Sequence, residues 1–503
     1  MIRESGRHIG RREVLQGAVA LAGAAILPPA RARGQAGGGA RAGGAGAPTS
    51  PSEWVSTTET APWQQKTPQR PRGFEWDGLD LRVCLDRPAQ PVDGFGACFN
   101  ELGWTSLQAL AESDREAIVR ELFAPGAGGN FTICRMPVGA NDFSRDWYSY
   151  DETPDDFDLK DFSIANDRET LIPFILAARR HQPALRLWAS PWSPPTWMKK
   201  NGHYASVPNR PGAPANGLRP EQVGKEGTDM FRVEDQKYLD VYARYFGKFI
   251  DAYRAAGIDI TMVMPQNEFN SAQPFPSCTW TAEGLAKFVG VLGPEMARRK
   301  VQVYFGTLER ANVGLLRASL DDKVAGSHIQ GVGVQWAGKN AVAEIRRQFP
   351  KLKIYQSEQE CGDGANAWRY CEYAWQLMKH YFRSGANAYF YWNISLESGG
   401  VSHWGWKQNS LVTVDASART FKWNHEYYLL KHVSHFVQPG ATRVDTEGTC
   451  DDALAFRNPD GRVVVVVRNG RPHARTVNVA IGADAFALAL DPDSFNTVVV
   501  GER

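Results

Sequence analysis

Short apolar runs alternate with amphipathic segments over most of the chain, from residue 91 to about residue 440. The clearest amphipathic segment, at 238–253, places Tyr242, Phe246 and Phe249 on one helical face. Five further segments have this helical spacing: 106–123, 169–181, 282–299, 340–349 and 367–383. Between the amphipathic segments, eight apolar runs have strand character: 92–99, 131–136, 185–190, 258–264, 301–305, 329–335, 353–356 and 388–393.

This alternation predicts an α/β fold in which parallel strands are joined by helical crossovers. Eight strand–helix units predict a closed (β/α)8 TIM barrel over residues 91–440. An open, doubly wound sheet is the alternative, but no GxGxxG motif follows the first strand. The barrel is therefore the favoured architecture.

The two ends of this region have a different pattern. Residues 441–503 contain β-branched runs such as RVVVVVR at 462–468, separated by Asn-Pro-Asp-Gly and Arg-Asn-Gly turn signals. Residues 53–90 carry two more runs of strand character, at 54–58 and 79–85. Together they predict a side β-sandwich, built from both chain ends and packed against the barrel.

The N-terminal segment has the features of an export signal. A pair of arginines at Arg11 and Arg12 precedes a short apolar stretch at 18–27, and Ala-Arg-Ala at 30–32 offers a cleavage site. The arginine pair is typical of a twin-arginine signal over residues 1–32. We therefore expect an exported protein, periplasmic or extracellular, with a Gly/Ala-rich flexible linker at 33–52. A basic, disordered tail is the alternative.

Composition narrows the class of protein. The chain has 503 residues, of which 43% are hydrophobic, so it can bury a large core. A net charge of +2 excludes the strong basic excess of a nucleic-acid-binding protein. No other apolar run is long enough to span a bilayer, so no stable membrane insertion is expected. The seven cysteines show neither a CxxC pair nor zinc spacing, so no metal site and no disulfide framework is predicted.

Two acidic residues follow predicted barrel strands. Glu268 comes after the fourth strand and Glu358 after the seventh, which places two carboxyl groups on opposite sides of the barrel mouth, where active sites of this fold lie. Cleavage of a glycosidic bond requires such a pair, because one carboxylic acid protonates the leaving oxygen and the other attacks or stabilises the sugar centre. The sequence therefore favours a glycoside hydrolase over the alternative that both glutamates are merely exposed charges in loops.

The loops at the same strand ends are rich in tryptophan. Seven of the sixteen tryptophans fall there, where the apolar faces of sugars could stack on them: Trp192, Trp197, Trp280, Trp336, Trp392, Trp404 and Trp406. A long Gly-, Pro- and Asn-rich stretch at 201–229 follows the third strand. It is either a lid or a tolerated insertion.

Four motifs lie at or after the predicted strand ends: ASPWSPPTWMKKNG (189–202), PQNE (265–268), QSEQECG (356–362) and YWN (391–393). They resemble glycoside hydrolase family 30, the family of lysosomal-type β-glucosylceramidases, β-1,6-glucanases and related β-glycosidases. The resemblance covers about residues 54–503. It implies a retaining mechanism, with Glu268 as general acid/base and Glu358 as nucleophile, and it implies no cofactor.

The resemblance also implies roles for neighbouring residues. Asn267 would bind the sugar 2-hydroxyl group. Asp142, Trp192 and Trp392 match positions that hold the sugar in the −1 subsite. Arg135 matches an arginine below the nucleophile, whose charge should favour the ionised carboxylate.

Two features depart from the family pattern. Glu360 competes with Glu358, because an extended chain points both side chains the same way. The Ser-Glu dipeptide after the strand favours Glu358 and leaves Glu360 as a supporting or subsite residue. Relatives often carry a tyrosine after strand six that binds the nucleophile, and here Gln335 or Trp336 would donate instead, or the nucleophile is oriented differently.

The expected partner is a carbohydrate: a β-linked oligosaccharide, glucan or glycoside, with β-linked glucose as the favoured unit. Endo-β-1,6-glucanase or xylanase-type specificity remains an alternative. A catalytically silent carbohydrate-binding barrel is a different class, and the presence of both Glu268 and Glu358 argues against it. A structural protein would leave the tryptophan-rich mouth unexplained.

Overall fold

The computed structural model describes residues 51–67, 78–482 and 484–501. The predicted export signal at 1–32 and nearly all of the predicted linker at 33–52 lie outside these residues. Within the described ranges, no helix combines the length and the apolar character needed to cross a membrane.

A closed barrel of eight parallel strands forms the centre of the structure. Three strands precede it: β1 (Glu53–Thr57), β2 (Gln64–Gln65) and β3 (Leu81–Pro91). The barrel strands are β4 (Gly94–Cys98), β5 (Ile133–Val138), β6 (Arg186–Pro191), β7 (Met262–Val263), β8 (Gln302–Leu308), β9 (Ile329–Gln335), β10 (Lys353–Glu358) and β11 (Ala388–Glu397). Strands β4 to β10 are neighbours in chain order, and β11 pairs with both β4 and β10. The predicted eight-stranded barrel is confirmed.

Ten helices lie within the described residues: α1 (Glu101–Gln108), α2 (Glu112–Phe123), α3 (Ala165–Glu169), α4 (Leu171–His181), α5 (Gln236–Ala255), α6 (Ala282–Arg298), α7 (Val313–Asp321), α8 (Val342–Gln348), α9 (Trp368–Ser384) and α10 (His425–Ser434). The prediction of a single helix at 106–123 is wrong, because the helical structure is interrupted between α1 and α2. Glu112 and Asp114 in the first turn of α2 mark a new helix start, since acidic side chains favour that end. Helices α7 and α10 were not predicted.

Every second side chain of a barrel strand points into the barrel, and the polarity of these inward side chains changes from the bottom to the top. The lower layer is apolar and includes Ile133, Trp188, Tyr355 and Phe390. The next inward position on the same strands carries Arg135, Ser190, Ser357 and Trp392. The alternation of the strands thus places a polar layer directly on an apolar floor, at the end of the barrel where the candidate residues lie.

The chain ends form the side β-sandwich, as predicted. After the barrel, a hairpin of β12 (Ser410–Asp415) and β13 (Thr420–Trp423) extends β11. The C-terminal strands are β14 (Thr442–Glu447), β15 (Ala453–Arg457), β16 (Val463–Asn469), β17 (Arg475–Ile481), β18 (Asp484–Leu490) and β19 (Ser494–Val500). Strand β1 pairs antiparallel with β19, and β3 lies between β14 and β17.

The apolar run of β16 is explained by burial on both faces. Val463, Val465 and Val467 belong to the sandwich core, whereas Val464 and Val466 pack into the cluster that continues into the barrel. A strand that is covered on both sides has no polar face, so its sequence shows no alternation. All seven cysteines lie within the described residues as buried thiols without a disulfide.

Candidate active site

Arg135 is the centre of the polar layer. Its guanidinium group donates to Glu358 Oε2 (2.9 Å), to Ser190 Oγ (2.9 Å) and to Asn267 Oδ1 (2.7 Å). The arginine is fully buried and Glu358 is only 3% exposed, so solvent screens this ion pair little. The guanidinium also lies over three indole rings, 4.5 to 5.1 Å from their centroids: Trp188, Trp192 and Trp392. This cage fixes the cation directly beneath Glu358.

Gln335, the last residue of β9, joins the two glutamates. Its amide nitrogen lies 3.1 Å from Glu358 Oε2 and 3.3 Å from Glu268 Oε1. Ser357 Oγ donates to the Gln335 side-chain oxygen (2.8 Å), which fixes the orientation of the amide group. Glu268, in the loop after β7, and Glu358, at the end of β10, therefore both accept from one neutral donor.

Glu268 occupies an unusual backbone conformation. Its φ is +44°, in the left-handed region that costs an L-residue about 1 kcal/mol or more. Its backbone N–H donates to Thr307 Oγ1 (2.9 Å), and its Oε2 accepts from the Gln273 amide (3.1 Å). The carboxyl group is 3% exposed. These contacts aim the side chain into the barrel mouth rather than along the strand.

Glu360 does not join this cluster. Its Oε1 pairs with Lys339 (2.7 Å), and its Oε2 accepts from the Tyr373 hydroxyl (2.7 Å), a residue of α9. Strand β10 ends at Glu358, so the two-residue periodicity of an extended chain does not carry on to Glu360. The expectation that both glutamates point the same way is wrong, and only Glu358 contacts Arg135.

The other candidates surround the two glutamates. The indole rings of Trp192 and Trp392 lie 5.3 Å apart, tilted by 32°. Burial raises the pKa of the Cys98 thiol, the Arg135 charge lowers it, and the charges of Glu358 and Asp142 raise it, so these groups share one neighbourhood. Trp336 follows Gln335 with a φ of +49° and begins a short 3-10 helix.

Two of the strand-end tryptophans pack into the outer layer instead. Trp280 is fully buried and stacks on Phe231, with ring centroids 4.6 Å apart. Trp197 packs edge-on against Phe157. The indole of Trp280 stacks on both Phe231 and Phe288, so it offers no face for a sugar to stack on.

The segment at 201–229 is integrated into the mouth. Asn209 donates to the carbonyl of Trp404 (2.9 Å), and the backbone N–H of Ser206 donates to the carbonyl of Gln273 (3.0 Å). Because Gln273 contacts Glu268, this segment is connected to that glutamate through one intervening residue.

The sequence analysis did not identify three residues that interact with Glu268 or lie beside it: Gln273, Thr307 and Glu309. Gln273 lies in an irregular loop and carries no local signal. Thr307 and Glu309 come at the end of the fifth barrel strand, where the same strand-end rule could have found them.

The arrangement suits acid–base and nucleophilic chemistry at one bond. One carboxyl group is paired with a buried cation, and the second is held by neutral amides on the other side of a shared donor. No group of three histidine, cysteine or acidic side chains within the described ranges is placed to hold a metal ion. The site therefore offers carboxyl groups as its reactive side chains.

Comparison with known families decides the membership. The model described as the glycosyl hydrolase family 30 TIM-barrel domain matches residues 92–437, and the one for the family's beta sandwich domain matches residues 440–498. The chain belongs to glycosyl hydrolase family 30. As a member of this family it is a glycosidase, and the resemblance found in the sequence motifs is confirmed.

Family 30 relatives carry two kinds of name. The lysosomal acid glucosylceramidase of Mus musculus is 29% identical over 421 residues, covering 78% of this chain and 77% of the relative. An endo-1,6-beta-D-glucanase of Neurospora crassa is 25% identical over 405 residues, with 76% and 79% covered. Among solved structures, SrfJ from Salmonella typhimurium is 25% identical, with a TM-score of 0.77, covering 90% of this chain and 99% of that one.

Proposed function

We propose that this family 30 enzyme is a retaining β-glycosidase that cleaves β-glucosidic bonds by double displacement. Glu358 attacks the anomeric carbon and forms a glycosyl-enzyme. Glu268 first protonates the leaving oxygen and then deprotonates the incoming water.

The position of Gln335 carries the proposal. Its amide nitrogen contacts one oxygen of each glutamate, so those oxygens are at most about 6.4 Å apart, the sum of the two contact lengths. Retaining glycosidases hold their carboxyl groups about 5–5.5 Å apart, whereas inverting enzymes need about 6.5–9.5 Å to admit a water. For the pair of oxygens that Gln335 joins, the bound lies below the inverting range and favours the retaining arrangement.

The surroundings support the division of roles. The guanidinium of Arg135 contacts Glu358, and an adjacent positive charge stabilises the carboxylate that a nucleophile requires. Glu268 is approached by the neutral amides of Gln335 and Gln273. These donors are uncharged, in contrast to the cation beside Glu358.

Glucose is the sugar that we propose for the −1 subsite. The names of both kinds of relative refer to a glucosyl unit. Asn267 accepts through its oxygen from Arg135 and Gln335, so its amide Nδ2 is the end that can donate to a sugar hydroxyl. Asp142, Trp192, Trp336 and Trp392 complete the proposed subsite.

The test compares substrates and variants. Wild type should hydrolyse an aryl β-glucoside faster than the β-xyloside or β-fucoside, and NMR should show β-glucose as the first product. Glu358→Ala should lose activity and recover it with azide, giving α-glucosyl azide. Glu360→Ala is the matched control, two residues away, and should remain active. Formation of α-glucose first, or undiminished activity of Glu358→Ala, would refute the proposal.

Digestion of β-1,6-glucan distinguishes endo-acting from exo-acting cleavage. Release of short oligosaccharides from β-1,6-glucan, with slow cleavage of aryl glucosides, would identify an endo-β-1,6-glucanase. Release of glucose alone would identify an exo-acting enzyme.

We also propose that the enzyme is exported through its twin-arginine signal to the periplasm or beyond. Replacing both Arg11 and Arg12 by lysine should retain the protein in the cytoplasmic fraction. Export that is unchanged in this variant would contradict the proposal.

A further inference from the structure

Glu309 is a buried carboxyl group beside Glu268 that the proposed mechanism does not use. It follows the last residue of β8 and is 4% exposed. Its Oε1 accepts from the backbone N–H of Asn270 (3.2 Å) and from Ser271 Oγ (2.9 Å). Its Oε2 is buried and has no hydrogen-bond partner among the residues that the structure describes. One oxygen thus serves the turn after Glu268, and the other makes no polar contact.

Two residues at the end of β8 hold that turn. Thr307 accepts from the backbone N–H of Glu268, and Glu309 binds Asn270 and Ser271, two and three residues further along. The turn is closed by the N–H of Ser271, which donates to the carbonyl of Glu268 (2.9 Å). A left-handed φ at Glu268 persists only where the surrounding contacts enforce it. Glu309 supplies one of these contacts.

The charge state of Glu309 follows from its neighbours. Burial and then the charge of Glu268 raise its pKa to about 8, against the opposing effect of Arg310. Arg310 Nε lies 3.5 Å from Glu309, while the same guanidinium pairs with Glu226 of the 201–229 segment at 2.8 Å. Glu268, Arg310 and Glu226 are the charged groups that act here. Burial is the largest of these effects and does not depend on the charge of Glu268, so the site favours the carboxylic acid form of Glu309 at neutral pH.

We propose that Glu309 is a positioning residue for proton transfer: its buried carboxyl group holds the turn that aims Glu268 at the leaving oxygen. This inference rests on the proposed role of Glu268 as general acid. Glu309 touches neither the sugar nor the reacting atoms, and it acts through the backbone of Asn270 and the hydroxyl of Ser271.

The first experiment varies the leaving group. The dinitrophenolate of a dinitrophenyl β-glucoside can leave without being protonated, whereas the phenolate of a phenyl β-glucoside needs a proton. Only the phenyl substrate therefore depends on how Glu268 is oriented. Glu309→Ala should lower kcat/KM for the phenyl substrate by about 10-fold or more, a fraction of what general acid catalysis contributes, and leave the dinitrophenyl substrate within about 3-fold. An equal loss on both substrates would overturn the proposal.

Glu309→Gln keeps the shape of the uncharged acid and guards against a folding defect in Glu309→Ala. It should match wild type on both substrates at pH 6 to 7. Above pH 8 wild type should lose phenyl glucoside activity relative to Glu309→Gln, because only wild type acquires a charge there. A glutamine variant that is as impaired as the alanine variant, or an unchanged ratio above pH 8, would overturn the role of the uncharged form.

Glu268→Ala separates this proposal from the proposed function. If Glu268→Ala itself shows no preference for the dinitrophenyl substrate, Glu268 is not the general acid, and the proposed function fails first. If Glu268→Ala shows the preference and Glu309→Ala does not, only the positioning role is refuted.

Discussion

The ion pair of Arg135 and Glu358 allows a quantitative test of how the site is held together. Replacing Arg135 by methionine keeps a similar length of apolar side chain but leaves the Glu358 carboxylate buried without its cation. Breaking a buried pair by removing one partner costs about 3–5 kcal/mol. Because the two side chains are 0% and 3% exposed, no solvent screening reduces this figure. We therefore expect Arg135→Met to lower the free energy of unfolding by about 4 kcal/mol.

The double variant isolates the pairwise part of this loss. Glu358→Gln alone leaves the guanidinium buried without its carboxylate, whereas the double variant Arg135→Met/Glu358→Gln leaves neither charge. The loss in the double variant should be smaller than the sum of the two single losses by about 2 kcal/mol or more. Urea unfolding at pH 7, followed by tryptophan fluorescence, measures all four proteins.

A second cycle on Lys339 and Glu360 serves as the control. This pair has a similar distance, 2.7 Å, but its lysine is 20% exposed. Its coupling should be about 1 kcal/mol or less, because water screens the charges. If Arg135 and Glu358 prove additive to within about 0.5 kcal/mol, the premise that burial makes this pair strong is wrong.

Three further predictions concern other parts of the molecule. Gln335→Ala removes the donor shared by both glutamates and should lower kcat/KM by about 100-fold with little change in the unfolding midpoint; a loss below 3-fold would contradict its role. Burial raises the pKa of Glu309 to about 8 and that of Glu426 to about 7. At these two groups the folded state therefore binds more protons than the unfolded chain, so their contribution to stability falls as the pH rises through these values. Calorimetry should find a lower melting temperature at pH 8.5 than at pH 6.5, and a higher one would contradict this. Val465→Ala should cost about 2 kcal/mol in urea unfolding, whereas the exposed Val324→Ala should cost about zero; equal effects would refute the burial of Val465 in the sandwich core.

The sequence predicted the barrel because its signal is local. Each strand is a short apolar run, and strand ends identify the mouth, so Glu268, Glu358 and Arg135 could be placed without long-range information. The same rule could not orient Glu360, because its direction depends on where β10 stops and on its contacts with Lys339 and Tyr373.

Other features depend on contacts between segments that are distant in sequence. The backbone of Gln273, which reaches Glu268, is held both by Ser277 and by the 201–229 segment, and the second of these contacts is not visible in the local sequence. The stacking of Trp280 on Phe231 is equally remote in sequence. Aromatic residues in a predicted loop therefore indicate burial as readily as ligand binding, and only packing separates the two.

The pairing of β1 with β19 determines when this chain can finish folding. Trp54 donates to the Asn496 side chain across 442 positions, so among the described residues β1 has only the two-residue strand β2 as a local partner until almost the whole chain has been synthesised. Contacts this distant in sequence form slowly, because a long loop must close before they stabilise the fold. The pairing of β1 with β19 is thus completed late, and the proposed twin-arginine route, which exports proteins already folded, would carry the enzyme only after this pairing has formed.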